Sequence, residues 1–163
     1  ESDVHKQLMQ INKDTLKALG MWRGVTHAEF IRQHSTGKLV FLEIAARVGG
    51  ANIADLIEHA SGLNPWQEWA RIELANLRGV PYQLPQIKTN YAGIAICLAK
   101  QQHPDMSGYT DGEIVYRMNK EYHAGLIVSS PDADRVQSLL ETYTHRFAQD
   151  FLNWAPPLET GRE

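Results

Sequence analysis

A single cysteine, Cys97, stands in 163 residues; it cannot close an internal disulfide, and it sits inside the apolar run Ile94–Leu98. That usage suits a reducing compartment, and a cytoplasmic location is expected. No apolar stretch approaches the roughly 20 residues a membrane-spanning helix needs, so no membrane partner is expected. An excess of positive charge is also missing. The 16 Lys and Arg stand against 19 Asp and Glu, for a net charge of −3, which leaves no basic footprint for nucleic acid. There is no internal repeat and no low-complexity tract, and nothing speaks for or against a homo-oligomer. The first residue is Glu1 rather than an initiator methionine, and the residues after it read as helix, not as a signal or transit peptide. A piece cut from a longer protein is the expectation. What remains is an ordinary globular composition, 43% hydrophobic and 21% charged, in a length that can bury a core.

Val4, Leu8, Ile11, Leu16 and Leu19 recur at helical spacing, and Gly20 ends the run. Two strands are expected next, at 25–33 and 38–46, joined by Ser35-Thr36-Gly37 as a three-residue hairpin loop with Gly37 left-handed. The second, Leu39-Val40-Phe41-Leu42-Glu43-Ile44, is apolar on both faces, the pattern of a strand central in a sheet. A helix then starts near Asn52 and carries Ile53, Leu56, Ile57 and Ala60 on one stripe to Gly62. Another opens with Asn64 as cap and Pro65 in first position. After the proline-bearing connector Val80–Pro85 the organisation changes. Strands are expected at Tyr91–Leu98, Gly112–Met118 and Ala124–Ser129, then a last helix whose stripe is Val136, Leu139, Leu140, Tyr143, Phe147 and Phe151. The division expected is an α+β body over 1–80, a small α+β lobe over 86–155 and a tail over 156–163. Trp22, Trp66, Trp69 and Trp154 are expected to be packing residues, and Cys97 a small hydrophobe.

Glu43 is out of place in its strand. A charge in such a run is expensive unless it is paired or binds a metal. If residues 34 and 38 close the hairpin, Glu29 faces Glu43 on one side of the sheet, and like charges directly opposite are destabilising. One carboxyl then keeps its proton, or a cation sits between them. Mg²⁺ takes oxygen ligands, commonly one or two carboxylates plus phosphates. Two alternatives stand beside this. A hairpin with one face in water makes Glu29 an ordinary surface residue, and a two-residue turn at Thr36-Gly37 pairs Glu29 with Ile44 instead. His27 shares the face of Glu29, so a zinc set of His27, Glu29 and Glu43 is a further, weaker reading. Four residues past Glu43 comes Arg47, then Gly49-Gly50 and a helix start. A glycine turn into a helix brings backbone N–H groups to an anion, and Arg47 adds a two-pronged grip on phosphate or carboxylate.

The stretch Gly24-Val25-Thr26-His27-Ala28-Glu29-Phe30, followed by Leu42-Glu43-Ile44-Ala45-Ala46-Arg47-Val48-Gly49-Gly50, resembles the closing segment of the ATP-grasp superfamily. The helix after it, and more loosely the strands Tyr91–Leu98 and Ala124–Val128, are similar to the family's C-terminal lobe. Within the superfamily the Arg-x-Gly-Gly ending is most like L-amino-acid ligases, and less like biotin carboxylases. The resemblance implies the C-terminal half of an α+β ATP-grasp fold. It implies ATP and Mg²⁺ as cofactors, and small-molecule carboxylate and amine substrates joined through an acylphosphate. It makes Glu29 and Glu43 the Mg²⁺ ligands that bridge the ATP phosphates, and Arg47 the catalytic cation on the transferred phosphoryl group or substrate carboxylate. Gly50 becomes the point where backbone approaches substrate, and Gly49 and Gly50 join Glu29, Glu43 and Arg47 as cofactor-binding residues. One departure is Ala45, where many members place an asparagine as third metal ligand. The glycine-rich phosphate loop, the lysine-bearing strands and the N-terminal substrate domain are also not in this sequence. The expectation is therefore a fragment, inactive alone, whose partner is the missing N-terminal half of the same protein. The alternatives are a degenerate, non-catalytic ATP-grasp module and a biotin-carboxylase-like enzyme.

Overall fold

The computed structural model describes residues 2–152; Glu1, Trp154 and the tail expected from residue 156 lie outside them. The chain divides into two compact units. One holds the residues up to Glu58 together with Leu63–Gln86, and the other holds His59–Gly62 and the residues from Ile87 onward.

The first unit begins with α1 (Asp3–Ala18), capped by Ser2, whose side chain accepts from the His5 N–H. Then come β1 (His27–Arg32), β2 (Leu39–Ala45), α2 (Ile53–Ser61), whose last turn passes into the second unit, and α3 (Pro65–Leu77). Asn64 caps α3 by accepting from the Trp66 and Gln67 N–H groups, with Pro65 at the start as expected. Glu68 is buried in α3 and is held by the Arg71 guanidinium at 2.5 Å and the Tyr82 hydroxyl at 2.6 Å. Burial and the Glu68 carboxylate together push the Tyr82 hydroxyl up to about 12.

The hydrophobic stripe of α1 is only half-buried. No residue of α1 is buried, and Trp22 is 91% exposed. Trp22 therefore does not pack as expected, whereas Trp66, half exposed, stacks on Trp69 at 6.3 Å between centroids. β2 is not central in a sheet either. It pairs with β1 alone, in a two-stranded sheet, and Val40, Phe41 and Leu42 are all exposed. The pattern was that of a strand apolar on both faces; here these side chains keep 40–54% of their surface in solvent.

The second unit is built the other way, around a closed core. β3 (Tyr91–Leu98), β4 (Ile114–Arg117) and β5 (His123–Ser130) form an antiparallel sheet in the order β3-β5-β4. On one face lies α4 (Ala133–Asp150), capped by Asp132. Its buried residues are Val136, Leu139, Tyr143 and Phe147, with Leu140 partly buried, close to the stripe expected. They meet Ala95, Ala124, Leu126 and Val128 from the sheet. Gly93 is required by space. A Cβ there would lie 2.4 Å from Leu140 Cδ1, inside any real contact.

A polar lattice closes the end of this core. Arg135 donates to Glu113 at 2.7 Å and to Asp111 at 2.9 Å, and the Tyr143 hydroxyl donates to Asp111. The Tyr143 bond, then Arg135, hold the Asp111 carboxyl below its usual value, and Arg135 does the same for Glu113. Depressed carboxylate pKa values contribute stability above the unfolded value of about 4; it is lost as pH falls through the folded value. Tyr143→Phe is therefore expected to flatten the loss of stability below about pH 4. Urea midpoints followed from about pH 6 to about pH 2 check this, and parallel curves for the two proteins would contradict it.

Candidate functional site

Everything at the candidate site lies in the first unit, on the hairpin and the turn into α2. The turn between the strands is one residue wider than expected. The Gln33 N–H donates to the Lys38 carbonyl at 2.9 Å and the Gly37 N–H to the Gln33 carbonyl at 2.8 Å, so 33 and 38 close the loop rather than 34 and 38. Gly37 is left-handed, with φ +70°. Thr36 stabilises the wider turn: its hydroxyl donates to Gln33 Oε1 at 2.7 Å and accepts from the Lys38 N–H at 3.2 Å. This register pairs Arg32 with Leu39, Ile31 with Val40 and Phe30 with Phe41. The two phenylalanines meet edge to face, 5.9 Å between centroids.

Continued unchanged, that register would set Glu29 opposite Leu42 and turn Glu43 to the other face. It does not continue. The register shifts between Glu29 and Phe30, Leu42 has no partner, and Glu29 pairs with Glu43, Ala28 with Ile44 and His27 with Ala45. A β-bulge adds one residue to one strand and re-aims those beyond it. Here it returns Glu43 to the face of Glu29, together with His27 and Ala45.

The two carboxylates therefore face each other as expected, but not in a dry interior. Glu29 keeps 44% of its side-chain surface in solvent, and Glu43 is exposed. Water reaches both and screens much of their repulsion. Among the described residues no group of three or more His, Cys, Asp and Glu is placed to hold a metal ion, which leaves His27, Glu29 and Glu43 without support as a zinc set. A pair of carboxylates suits a hard cation that completes its shell with phosphate oxygens and water, as Mg²⁺ does. Ala45 adds no donor.

Beyond β2 the chain makes a tight, partly strained turn. Val48 anchors it, being only 3% exposed. Arg47 is exposed, and its Nη1 donates to the Val48 carbonyl at 3.1 Å. The left-handed residues of the turn are not Gly49 and Gly50 but Ala51 (φ 51°) and Asn52 (φ 62°). Such a conformation costs roughly 1 kcal/mol or more for a residue with a side chain, least for Asn. Asn52 offsets part of that cost. Its carbonyl accepts from the Leu56 N–H, and its side-chain amide donates to Asp55 Oδ2 at 2.9 Å, which seats the start of α2. The two glycines serve different needs. Gly50 stands in the open, with nothing within 4 Å of an added Cβ. Gly49 is enclosed: a Cβ there would lie 3.0 Å from Ile53 Cγ2 and 3.2 Å from His27 Cδ2.

Sequence reasoning singled out Glu29, Glu43, Arg47, Gly49 and Gly50, and the structure gathers all five around one strand end. It missed Ala51 and Asn52, whose strain has no sequence signal beyond the Asn itself, and Val48, which reads as one apolar residue among many. Cys97 lies elsewhere, in β3; burial pushes its thiol up, the opposite of what a nucleophile needs.

No family model matches the chain. An L-arginine-specific L-amino acid ligase from Bacillus subtilis is 31% identical to it over 71 residues, which are 44% of this chain and 17% of that protein. Three solved structures match over nearly all of it. They are N5-carboxyaminoimidazole ribonucleotide synthetase from Thermotoga maritima (TM-score 0.66, 14% identity, 93% of this chain), L-amino acid ligase from Bacillus licheniformis (0.63, 12%, 96%) and phosphoribosylglycinamide synthetase from Anaerococcus prevotii (0.58, 15%, 94%). The chain spans less than half of each, 43%, 42% and 43% respectively.

Proposed function

We propose that this chain, whose fold matches 42–43% of each of three ATP-grasp enzymes, is the C-terminal, metal- and phosphate-binding part of an ATP-dependent carboxylate–amine ligase acting on amino-acid or peptide substrates. The observation that carries this is the bulge-corrected register that sets Glu29 opposite Glu43, on the strand that leads into Arg47 and Gly49-Gly50. Relatives named as L-amino acid ligases favour that substrate class.

Bound with ATP, Mg²⁺ would supply charge neutralisation for a transferred phosphoryl group. Glu29 and Glu43 would hold it, two carboxylate arms on one face of the hairpin. Arg47 would leave the Val48 carbonyl and grip the transferred phosphoryl group or the substrate carboxylate. The open side of Gly50 would let substrate reach the backbone ahead of α2, where N–H groups favour an anion. These roles are positioning and electrostatic, the main contributions to phosphoryl-transfer catalysis.

The uncovered surfaces support a second part of the proposal, that the working protein is longer. Val40, Phe41 and Leu42 of β2, Met9 of α1 and Trp22 are exposed in this unit. The remainder of the same polypeptide is the partner proposed for them. Calorimetry of this chain with Mg-ATP is expected to show no tight binding, and a Kd in the micromolar range would refute the division of labour. In the natural polypeptide that contains the chain, ADP release should depend on a carboxylate and an amine together. Ala45, beside the carboxylate pair with no donor to offer, favours the second reading, a degenerate module; ADP release independent of any amine would select it.

A further inference from the structure

We infer that His27 is a positioning residue, which aims the Glu29 carboxylate and ties it to the turn that carries Arg47 and Gly50. The inference rests on Glu29 and Glu43 being metal ligands and deepens that reading.

Three observations converge on this imidazole. His27 shares a face with both glutamates, opposite Ala45, whose methyl leaves the ring room. Its Nδ1 lies 3.8 Å from Glu29 Oε1. Its other edge rests on the turn, where Cδ2 comes within 3.2 Å of the place a Gly49 Cβ would fill. The ring is held as well as close, with 26% of its side chain exposed against 44% for Glu29. A glutamate side chain on an exposed hairpin samples several rotamers, and fixing one costs entropy. A neighbouring N–H that favours a single rotamer lowers that cost before any cation arrives. Outer donors of this kind orient metal-binding carboxylates and change affinity substantially. At 3.8 Å the contact is longer than a hydrogen bond. Such contacts in ligand-free sites often close only when the ligand binds.

The same geometry explains Gly49. Its φ is not left-handed, so backbone conformation does not call for glycine there. The space is already taken, by His27 on one side and Ile53 on the other. A side chain at 49 would push the imidazole off Glu29. The turn and the carboxylate pair are thus mechanically joined through one ring.

The test uses Mn²⁺ as probe and the whole 163-residue chain, followed by paramagnetic broadening of backbone amide signals. In the unsubstituted protein, Mn²⁺ is expected to broaden signals centred on Glu29 and Glu43. Glu43→Gln should abolish that focus. If it does not, or if no focus exists, the metal-pair reading fails and takes the present inference with it. His27→Phe keeps a ring of similar size against Gly49 but offers no N–H. It is expected to weaken Mn²⁺ binding roughly tenfold, the lower end of such effects. His27→Asn places an amide N–H near the Nδ1 position and should recover most of the affinity. Gly49→Ala, which touches neither carboxylate, should weaken binding in the same direction. If Glu43→Gln abolishes binding while His27→Phe and Gly49→Ala bind like the unsubstituted chain, the metal pair stands and the positioning role of His27 is wrong. Equal loss in His27→Phe and His27→Asn, with amide spectra of folded protein, also overturns it. If His27→Phe does not fold, His27→Asn and Gly49→Ala decide alone.

Discussion

For the ligase proposed above, Glu43→Gln is expected to lower amine-dependent ADP release by on the order of a thousandfold. Gln is nearly isosteric and keeps a carbonyl oxygen, so the hairpin should fold and unfold as before. What is lost is half of the negative charge that the facing pair offers to a cation. Removing a single preorganised electrostatic contact commonly costs a hundredfold to a thousandfold or so in turnover, and a metal ligand belongs at the upper end. Glu29→Gln should cost a similar factor. The double substitution should cost little more than either alone, because residues that act as a unit are not additive. Turnover within a few-fold of the unsubstituted enzyme in Glu43→Gln would remove the metal role. The exposure of both glutamates sharpens this experiment. A surface pair with no ligand tolerates Gln at either position, and folding stability should not register the change.

The largest effect on stability is expected in the second unit. Phe147→Ala should destabilise the second unit by about 3–5 kcal/mol, a large part of the roughly 5–15 kcal/mol that holds a typical domain folded. Phe147 is 3% exposed and is the hub of an aromatic cluster. Its ring lies 5.3 Å from Tyr109 and 5.3 Å from Phe151, edge to face in both cases. Tyr109 cannot move in to fill the cavity. Its hydroxyl donates to Asp150 Oδ2 at 2.8 Å, and the Arg146 guanidinium sits 3.9 Å from the ring centroid on one face. Burial, then the Asp150 carboxylate, raise the Tyr109 hydroxyl well above its usual value, so that bond persists across the working pH range. Urea unfolding followed by far-UV circular dichroism checks the figure. A loss under about 1 kcal/mol would mean that the cluster collapses freely around the gap.

The two units were legible to different degrees. In the second, the stripe at Val136, Leu139, Tyr143 and Phe147 and the strands Tyr91–Leu98 and His123–Ser130 lie where periodicity put them, because that unit buries its own apolar faces. In the first, the same periodicity located α1, β1 and β2 but misjudged their surroundings. A pattern apolar on both faces says that a strand is suited to cover, not that this chain supplies it. Val40, Phe41 and Leu42 were read as central and are exposed. The carboxylate pair is the finest case. The reading that Glu29 faces Glu43 rested on a 34–38 closure; the hairpin closes at 33–38, and a bulge at Leu42 restores the pairing.

By itself the sequence determined where the helices begin and end and which residues are candidates for the chemistry. Capping, helical period and the residue types of Glu29, Glu43, Arg47 and Gly49-Gly50 are local properties, readable over a few positions. Only the tertiary structure decided which side of the hairpin each carboxylate takes, that the strain of the turn falls on Ala51 and Asn52, and that His27 fills the space that keeps residue 49 a glycine. Those depend on a one-residue slip between two strands and on atoms brought together from distant positions. A side-chain period of two leaves no room for a slip that is not compensated.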